Sequence, residues 1–558
     1  MKRKGYFCSK DCPDCCPFEV DNKLNFNYVD KLNITIPFVC KKLKRFYERE
    51  VLTGDYSFVL EAGIKVGKSF DDVCKEVASF LLENKNKNIL YLRGSGSLGL
   101  FMGYYDLLFE NFKNLYFVEG SLCDETGLSA HEDDFGCVVN PAHENLREVD
   151  IILLFGKNCK VVSPHLYAFL KQLKKNGKEI IYIDPIYTET AKIADKYIRI
   201  NPGTDGILAA SILDSLKYNG TLNTNRLFHY CGVSQIDFEY LLSLFCEKKV
   251  GIITGFGLQR YSNGKNIVNW INRLAVETSN ERYLYFGRPS KINFEKPKAD
   301  KKKKVKIYEI PNYLKKSFFD VFVIVAANPI ITYPESGVWQ QEFLNKKVVV
   351  VDTNFTETTK YADYFIKVGG MFAQPDAMGS YFFNIDNIRK EMIVDLPNDL
   401  DVVKNLAEHC KFSIDFKNID EILLKEKIVK RVYKQRNIPI ISPYVEKGKF
   451  RLLTLSNYFY LNSQLSEDYK KEKFVFINPK DADALKILDG ETVTLKNECG
   501  YIHVKVKIDS KVCSGVIMTY KNRKLDNFIV NTLTKSIPTD SDNGVAIYDT
   551  FVEVCKNL

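Results

Sequence analysis

The 558-residue sequence has no apolar run approaching the ~18 residues that a membrane-spanning helix requires, so a bilayer span is not expected. Its basic start, MKRKGYFCSK, lacks the apolar core of a secretion signal and has no twin arginine. These absences predict a cytoplasmic chain. Low hydrophobicity is absent too: 45% apolar and 27% charged residues are ordinary for a folded protein and exclude general disorder. The length exceeds what one core supports, so several domains are expected. Nor does one sign of charge dominate, because the net charge of +9 is spread among interleaved lysines and acids. The densest basic run, KADKKKKVK from Lys298 to Lys306, reads as a solvated inter-domain linker rather than a nucleic-acid patch.

Cysteine is what the chain has in excess. There are fifteen, and with no export signal they argue for metal before disulfides. Four crowd into CSKDCPDCCPF, as Cys8, Cys12, Cys15 and Cys16, and Cys40 follows in FVCKKLKRF. The even spacing Cys8-x3-Cys12-x3-Cys16 with a distant fourth thiol suits a [4Fe–4S] cube, in which a short loop wraps three corners. Four cysteines can also hold zinc, although zinc sites usually pair them as two CxxC knuckles.

The middle of the chain is duplicated. IIYIDPIYTETAKIADKYIRI (Ile180 to Ile200) matches VVVVDTNFTETTKYADYFIKV (Val348 to Val368) without a gap. Each copy follows an apolar strand ending in an asparagine turn, DIILLFGKN before the first and DVFVIVAAN before the second. Apolar strand, turn, helix and second strand ending in Asp is the pattern of doubly wound α/β architecture, with Gly177 stopping the first connecting helix. Such sheets bind ligands at the carboxyl ends of their strands. Asn158 and Asp184 stand there, as do Asn328 and Asp352. Each alone is an ordinary turn residue. Matched in two copies, they predict two related nucleotide sites.

One thiol cluster with two nucleotide-like sites resembles the molybdopterin oxidoreductases of the dimethyl-sulfoxide-reductase type, and the resemblance runs through nearly the whole chain. CSKDCPDCC is similar to the family's CxxDCPDxC variant, Cys40-Lys41-Lys42 to its C-x-K, LFGKN to its G-x-N turn, and NPGTDG to its PGTD signature. GFGLQR, VAANP and the second TET–AD segment fall in family order. LLTLSNYFYLNSQL, FINPKDADALKILDGETVTLKNECGYIHVKV and VNTLT resemble the closing dinucleotide-binding β-barrel.

The resemblance implies a [4Fe–4S] cluster on Cys8, Cys12, Cys16 and Cys40, and a molybdenum or tungsten ion held by two molybdopterin guanine dinucleotides. Lys42 would relay electrons between them. Cofactor contacts would fall at Ser97, Gly156, Asn158, Asp184, Thr188, Gly203, Thr204, Asp205, Gln259, Asn328, Asp352, Asn462 and Asn531. Cys123, in SLCDETGLSAHEDDFG, would be the metal's thiolate, with Cys137 and Cys159 competing nearby. Asp124 stands where formate dehydrogenases usually have His, which disfavours formate. The implied function is two-electron oxidation or reduction of a small substrate, with an electron-transfer protein or subunit as partner. A relative that kept the cluster and lost the metal is the alternative. The expected fold is multidomain α/β: a [4Fe–4S] domain at 1–54, a discontinuous domain from 55–120 with 305–440, a second α/β domain at 121–300 enclosed by it, and a β-barrel at 445–558.

Overall fold

The structure is a computed structural model that describes residues 4–21, 23–29, 38–53, 56–222, 227–286, 292–293, 297–383, 386–421, 425–426, 431–466 and 473–556. The expected domain boundary at 54–55 lies outside the described residues.

The two strand pairs of the repeat build two parallel sheets. The first sheet has five strands in the order Lys196–Arg199, Glu179–Asp184, Ile151–Phe155, Val250–Thr254, Leu284–Tyr285, all parallel. The second has eight. Lys304–Lys306, Leu115–Glu119, Ile89–Arg93, Val321–Val325, Lys347–Asp352 and Tyr364–Lys367 run parallel, and Phe58–Glu61 and Ile64–Gly67 close the edge antiparallel. The pairing Lys196↔Ile181 in the first sheet recurs as Tyr364↔Val349, at equivalent positions of the repeat, in the second.

Burial explains why these segments are strands. All five residues of Ile151–Phe155 are buried, and they alternate between cores: Ile151, Leu153 and Phe155 face one side, Ile152 and Leu154 the other. Val321, Val323 and Val325 likewise oppose Phe322 and Ile324. Helices cover both faces, as parallel sheets require. The helix Pro164–Lys175 begins with Pro at its first turn, ends on Lys174 and Lys175, and is followed by Gly177 at φ 86°.

One expectation is corrected. The lysine run is not simply a solvated linker, because Lys304–Lys306 forms the edge strand of the eight-stranded sheet. Its charges are paired: Lys304 and Lys306 reach Glu119 at 3.1 and 3.0 Å, and Lys301 reaches Asp106 at 2.8 Å. Lysines suit an edge strand, where they discourage further pairing.

The N-terminal part is a small antiparallel sheet of Lys4–Phe7, Pro17–Val20 and Phe26–Tyr28, followed by the helix Lys41–Val51. At the other end, six strands from Phe450–Leu455 to Phe551–Lys556 close a barrel. Its Leu453, Phe476, Val516 and Met518 pack into the core of the five-stranded unit. No helix among the described residues is long and apolar enough to cross a membrane.

A buried ion pair, Arg451 with Asp549, locks the barrel's first strand to its last connection; Arg451 also stacks over Tyr261 of the five-stranded unit, 5.3 Å from the ring centroid. Removing one partner leaves the other charge buried and uncompensated. Asp549→Ala should therefore lower stability by about 3–5 kcal/mol in urea unfolding, whereas the double change Arg451→Met with Asp549→Leu should lose less than Asp549→Ala alone.

Candidate active site

The cysteine loop folds so that its thiols face one hollow. Cys8 N donates to Cys16 O at 3.0 Å, pinching the loop into a ring. Cys15 adopts φ 44°, which turns its side chain away to pack against Phe7 and Met378, while Cys16 points inward. Cys40 caps the helix Lys41–Val51 from the far side. Cys8, Cys12, Cys16 and Cys40 thereby line one cavity of ≈ 550 Å³ with Lys42, Phe18, Phe38 and Phe46. Burial pushes the Cys8 thiol up to about 12, and the neighbouring Cys40 adds to it; Cys12 and Cys16 are raised in the same way, by burial first and then by adjacent acids and thiols. Lys42 is buried, with its ammonium 5.4 Å from the Tyr458 ring centroid.

The loop is pinned to the five-stranded unit. Asp14, fully buried, accepts from the Ser163 hydroxyl and from His165 N at 2.9 Å, and lies 3.1 Å from His165 Nδ1. The Cys12 thiol donates to Val162 O at 3.6 Å.

Each copy of the repeat lines a cavity of its own. Gly156, Asn158, Asp184 and Thr188 line one of ≈ 1190 Å³, together with Asp205. Asn328, Asp352 and Thr356 line another of ≈ 2800 Å³, together with Asn531 from the barrel. The duplicated polar residues have duplicated tasks. Asn158 Oδ1 accepts from Thr190 Oγ1 at 2.9 Å, and Asn328 Oδ1 from Thr358 Oγ1 at 2.7 Å, so each ties its turn to the next loop. Asp195 accepts from Ile180 N and Asp363 from Val348 N, both at 2.9 Å, fixing the strand register. Gly156, at φ 56°, belongs to a turn against which Gly255 packs so closely that a Cβ there would strike the Gly156 carbonyl.

Six residues line both cavities: Asp11, Cys123, Arg260, Tyr381, Asn462 and Lys521. Asn462 bridges two of them, donating to Asp11 Oδ2 at 2.6 Å and accepting from Lys521 Nζ at 2.8 Å. Burial raises the Cys123 thiol, with Asp11 and Asp124 adding to the effect and Arg260 and Lys521 opposing it. Burial also brings Lys521 down to about 8, with the Arg260 charge pushing the same way.

Several residues singled out in the sequence lie elsewhere. Ser97 pairs with Ser9 at 3.1 Å, and Gln259 accepts from Gly127 N; neither lines either of these two cavities. Gly203, at φ 81°, and Thr204 shape the turn that presents Asp205 rather than lining the cavity themselves. Cys137 and Cys159 are absent from the junction. Asp184 already accepts from Tyr182 OH at 2.6 Å and Ile186 N at 2.9 Å. Conversely, Asp11, Arg260, Tyr381 and Lys521 reach the junction although no sequence motif singles them out. Arg260 directly follows Gln259 in GFGLQR, and Asp11 precedes Cys12, so adjacency to a motif was the available signal.

The carboxyls at the strand ends and helix start are buried, and Asp205 is short of donors. Burial takes Asp205 up to about 7, with Asp184 adding, and takes Asp184 and Asp352 to about 6. Asp205 Oδ1 is buried with no hydrogen-bond partner. A cradle holding an orphaned carboxylate oxygen fits a ligand that brings N–H or O–H donors, as a guanine or ribose does. Because the folded chain holds these protons more tightly than the unfolded one, their stabilising contribution is complete below the ordinary value of 3.8 and is lost as pH rises towards 7. In the ligand-free chain, stability should thus fall between those pH values. Asp205→Asn should flatten that slope, as followed by thermal midpoint against pH.

Comparison with known proteins agrees with this geometry. The family model for molybdopterin oxidoreductase matches residues 69–366, and that for the molydopterin dinucleotide binding domain matches residues 450–551, the barrel. The chain is 24% identical over 523 residues to the probable oxidoreductase YyaE of Bacillus subtilis, covering 82% of this chain and 78% of that one. It is 22% identical to the probable oxidoreductase YoaE of the same organism, covering 98% of each. Acetylene hydratase from Pelobacter acetylenicus shares the fold with a TM-score of 0.76 over 99% of this chain and 100% of that one, at 13% identity. With two duplicated cavities meeting beside a cysteine, and a family match over more than half its length, the chain belongs to the molybdopterin oxidoreductase family.

Proposed function

We propose that this oxidoreductase carries a molybdenum or tungsten ion between two molybdopterin guanine dinucleotides, one in each duplicated cavity, and a [4Fe–4S] cluster on Cys8, Cys12, Cys16 and Cys40. The observation that carries the reading is the junction: two cavities, each lined by one copy of the repeat, meet at Cys123. The fit is chemical. Four thiols ring an apolar hollow rather than converging on one point, which suits a cube of iron and sulfide better than a single zinc ion. Cys123 offers a soft sulfur donor, and Asp184, Asp205 and Asp352 offer acceptors for guanine or ribose. When bound, the metal–pterin group supplies the two-electron chemistry, and the protein orients it and tunes its potential.

The chain's own residues act around that group. Arg260 and Lys521 favour the Cys123 thiolate, which Asp11 and Asp124 oppose. Asn462 holds Asp11 and Lys521 in fixed relation at the junction. Electrons would pass between the junction and the cysteine loop through Lys42, which lines the cysteine hollow, and across the wall of Val161, Val162 and Leu461 that the two hollows share. A small molecule is the substrate, and an electron-transfer protein or subunit completes the circuit.

Anaerobically purified protein should contain about four irons per chain and release GMP at about two per metal, in keeping with the duplicated cavities. Cys16→Ser should lose the cluster and Cys15→Ser keep it; the reverse result would show that the other thiol is the ligand. Cys123→Ala should preserve fold, iron and GMP while X-ray absorption shows one sulfur fewer at the metal. An unchanged metal spectrum in that variant would remove Cys123 from the coordination.

A further inference from the structure

Lys157 stands in the turn after the strand Ile151–Phe155, between Gly156 and Asn158. Its side chain is 3% exposed and lines the ≈ 1190 Å³ cavity together with Asp11 and Cys123. Among the described residues its ammonium makes no hydrogen bond or ion pair; its one close partner is the Phe256 ring, 5.5 Å from the centroid. A buried ammonium without a counter-ion is costly, and a cation–π contact offsets only part of that.

The turn that holds Lys157 is fixed from outside the side chain. Gly156 N donates to Ile183 O at 2.9 Å, and Cys159 N to Lys157 O at 2.8 Å. The same loop receives the cysteine ring through Cys12, whose thiol donates to Val162 O, and through Asp14. Burial lowers the proton affinity of the Lys157 ammonium, and Cys159, Asp14, Cys12 and Cys123 oppose that where they carry negative charge. Two of these belong to different centres in the reading above: Cys12 to the cluster, Cys123 to the metal. Lys42 is placed otherwise, lining the cluster hollow alone with its ammonium over Tyr458.

We propose that Lys157 is a positioning residue for electron transfer, whose buried ammonium is the counter-charge shared by the Cys12 and Cys123 centres and stabilises the reduced form of both. The inference rests on the cluster-and-pterin reading. Each electron gained adds a negative charge in a water-poor interior, where a fixed positive charge nearby acts with little screening. No bond forms or breaks at Lys157. Its proton stays on Nζ while single electrons pass between the two centres.

The test uses the full chain with its cofactors, purified without oxygen. Iron and GMP are counted, and the cluster's midpoint potential is read by redox titration followed by electron paramagnetic resonance. Lys157→Met should keep wild-type iron and GMP and move the cluster midpoint to a more negative potential. Lys157→Gln should do the same, which guards against a packing artefact, and Lys157→Arg should stay near wild type. Unchanged midpoints in the Met and Gln chains would overturn the proposal. So would loss of GMP with an unshifted cluster, which would make Lys157 an anchor for the dinucleotide's phosphate instead. If the unsubstituted protein held no iron or no GMP, the cluster-and-pterin reading itself would fall, a result distinct from either of these.

Discussion

The buried carboxylate of Asp14 holds the two chemical halves of this protein against each other. It takes the Ser163 hydroxyl and His165 N from the start of the helix Pro164–Lys175, while its own loop carries the cysteine ring. His165 extends the clasp: its Nε2 lies 3.1 Å from Phe38 O, and its ring stacks on Phe38 with centroids 4.4 Å apart, two residues before Cys40. A carboxylate is tolerated at zero exposure only when several donors satisfy it, and these donors come from one helix start. The position of the thiol hollow relative to the cavity lined by Asn158 and Asp184 is therefore held by one short stretch of backbone.

Duplication supplies the second constraint. Equivalent asparagines bind equivalent threonines, and equivalent aspartates fasten equivalent strand starts. These ties are internal, so they keep the shape of each strand-end crevice whatever fills it. What differs between copies is telling. Tyr182 donates to Asp184, but its counterpart in the second copy is Val350, and Asp352 accepts from Thr353 instead. The two crevices thus share a scaffold and differ in polarity at the carboxylate, which leaves room for two chemically alike ligands to be held in unlike ways.

Much of the fold was legible because it is written in local patterns. Continuous apolar runs such as IILLF and VFVIV mark strands covered on both faces, and the ungapped repeat marks a common strand register. The lysine run misled for a physical reason: charge reads as solvent, yet an edge strand tolerates charge when each lysine meets an acid on its neighbour. The site was legible only in part. Asp184 and Asp352 sit at strand ends, where a pattern can find them. Asp11, Lys157, Arg260 and Lys521 acquire their positions from contacts between segments hundreds of residues apart, and no spacing encodes that. Ser97 shows the converse, since a polar residue beside a motif can pair with another side chain, here Ser9, instead of lining a cavity.

The charges at the junction follow from burial acting on opposite signs at once. Removing water raises the proton affinity of Cys123 and of Asp11 and lowers that of Lys521. Left to burial alone, all of them would drift towards neutrality. Their mutual attraction opposes that drift, because Lys521 and Arg260 lower the Cys123 thiol while Cys123 and Asp11 raise Lys521. Such a set is poised: a new negative charge placed among these groups would favour the protonated cations, and a new positive charge would favour the thiolate and the carboxylate. The barrel contributes Asn462 and Lys521, the first α/β unit Arg260, and the cysteine loop Asp11. Because each arrives on a different part of the chain, the electrostatic balance at the junction exists only when the cysteine loop, the α/β unit and the barrel have docked, which couples the chemistry of the site to completion of the fold.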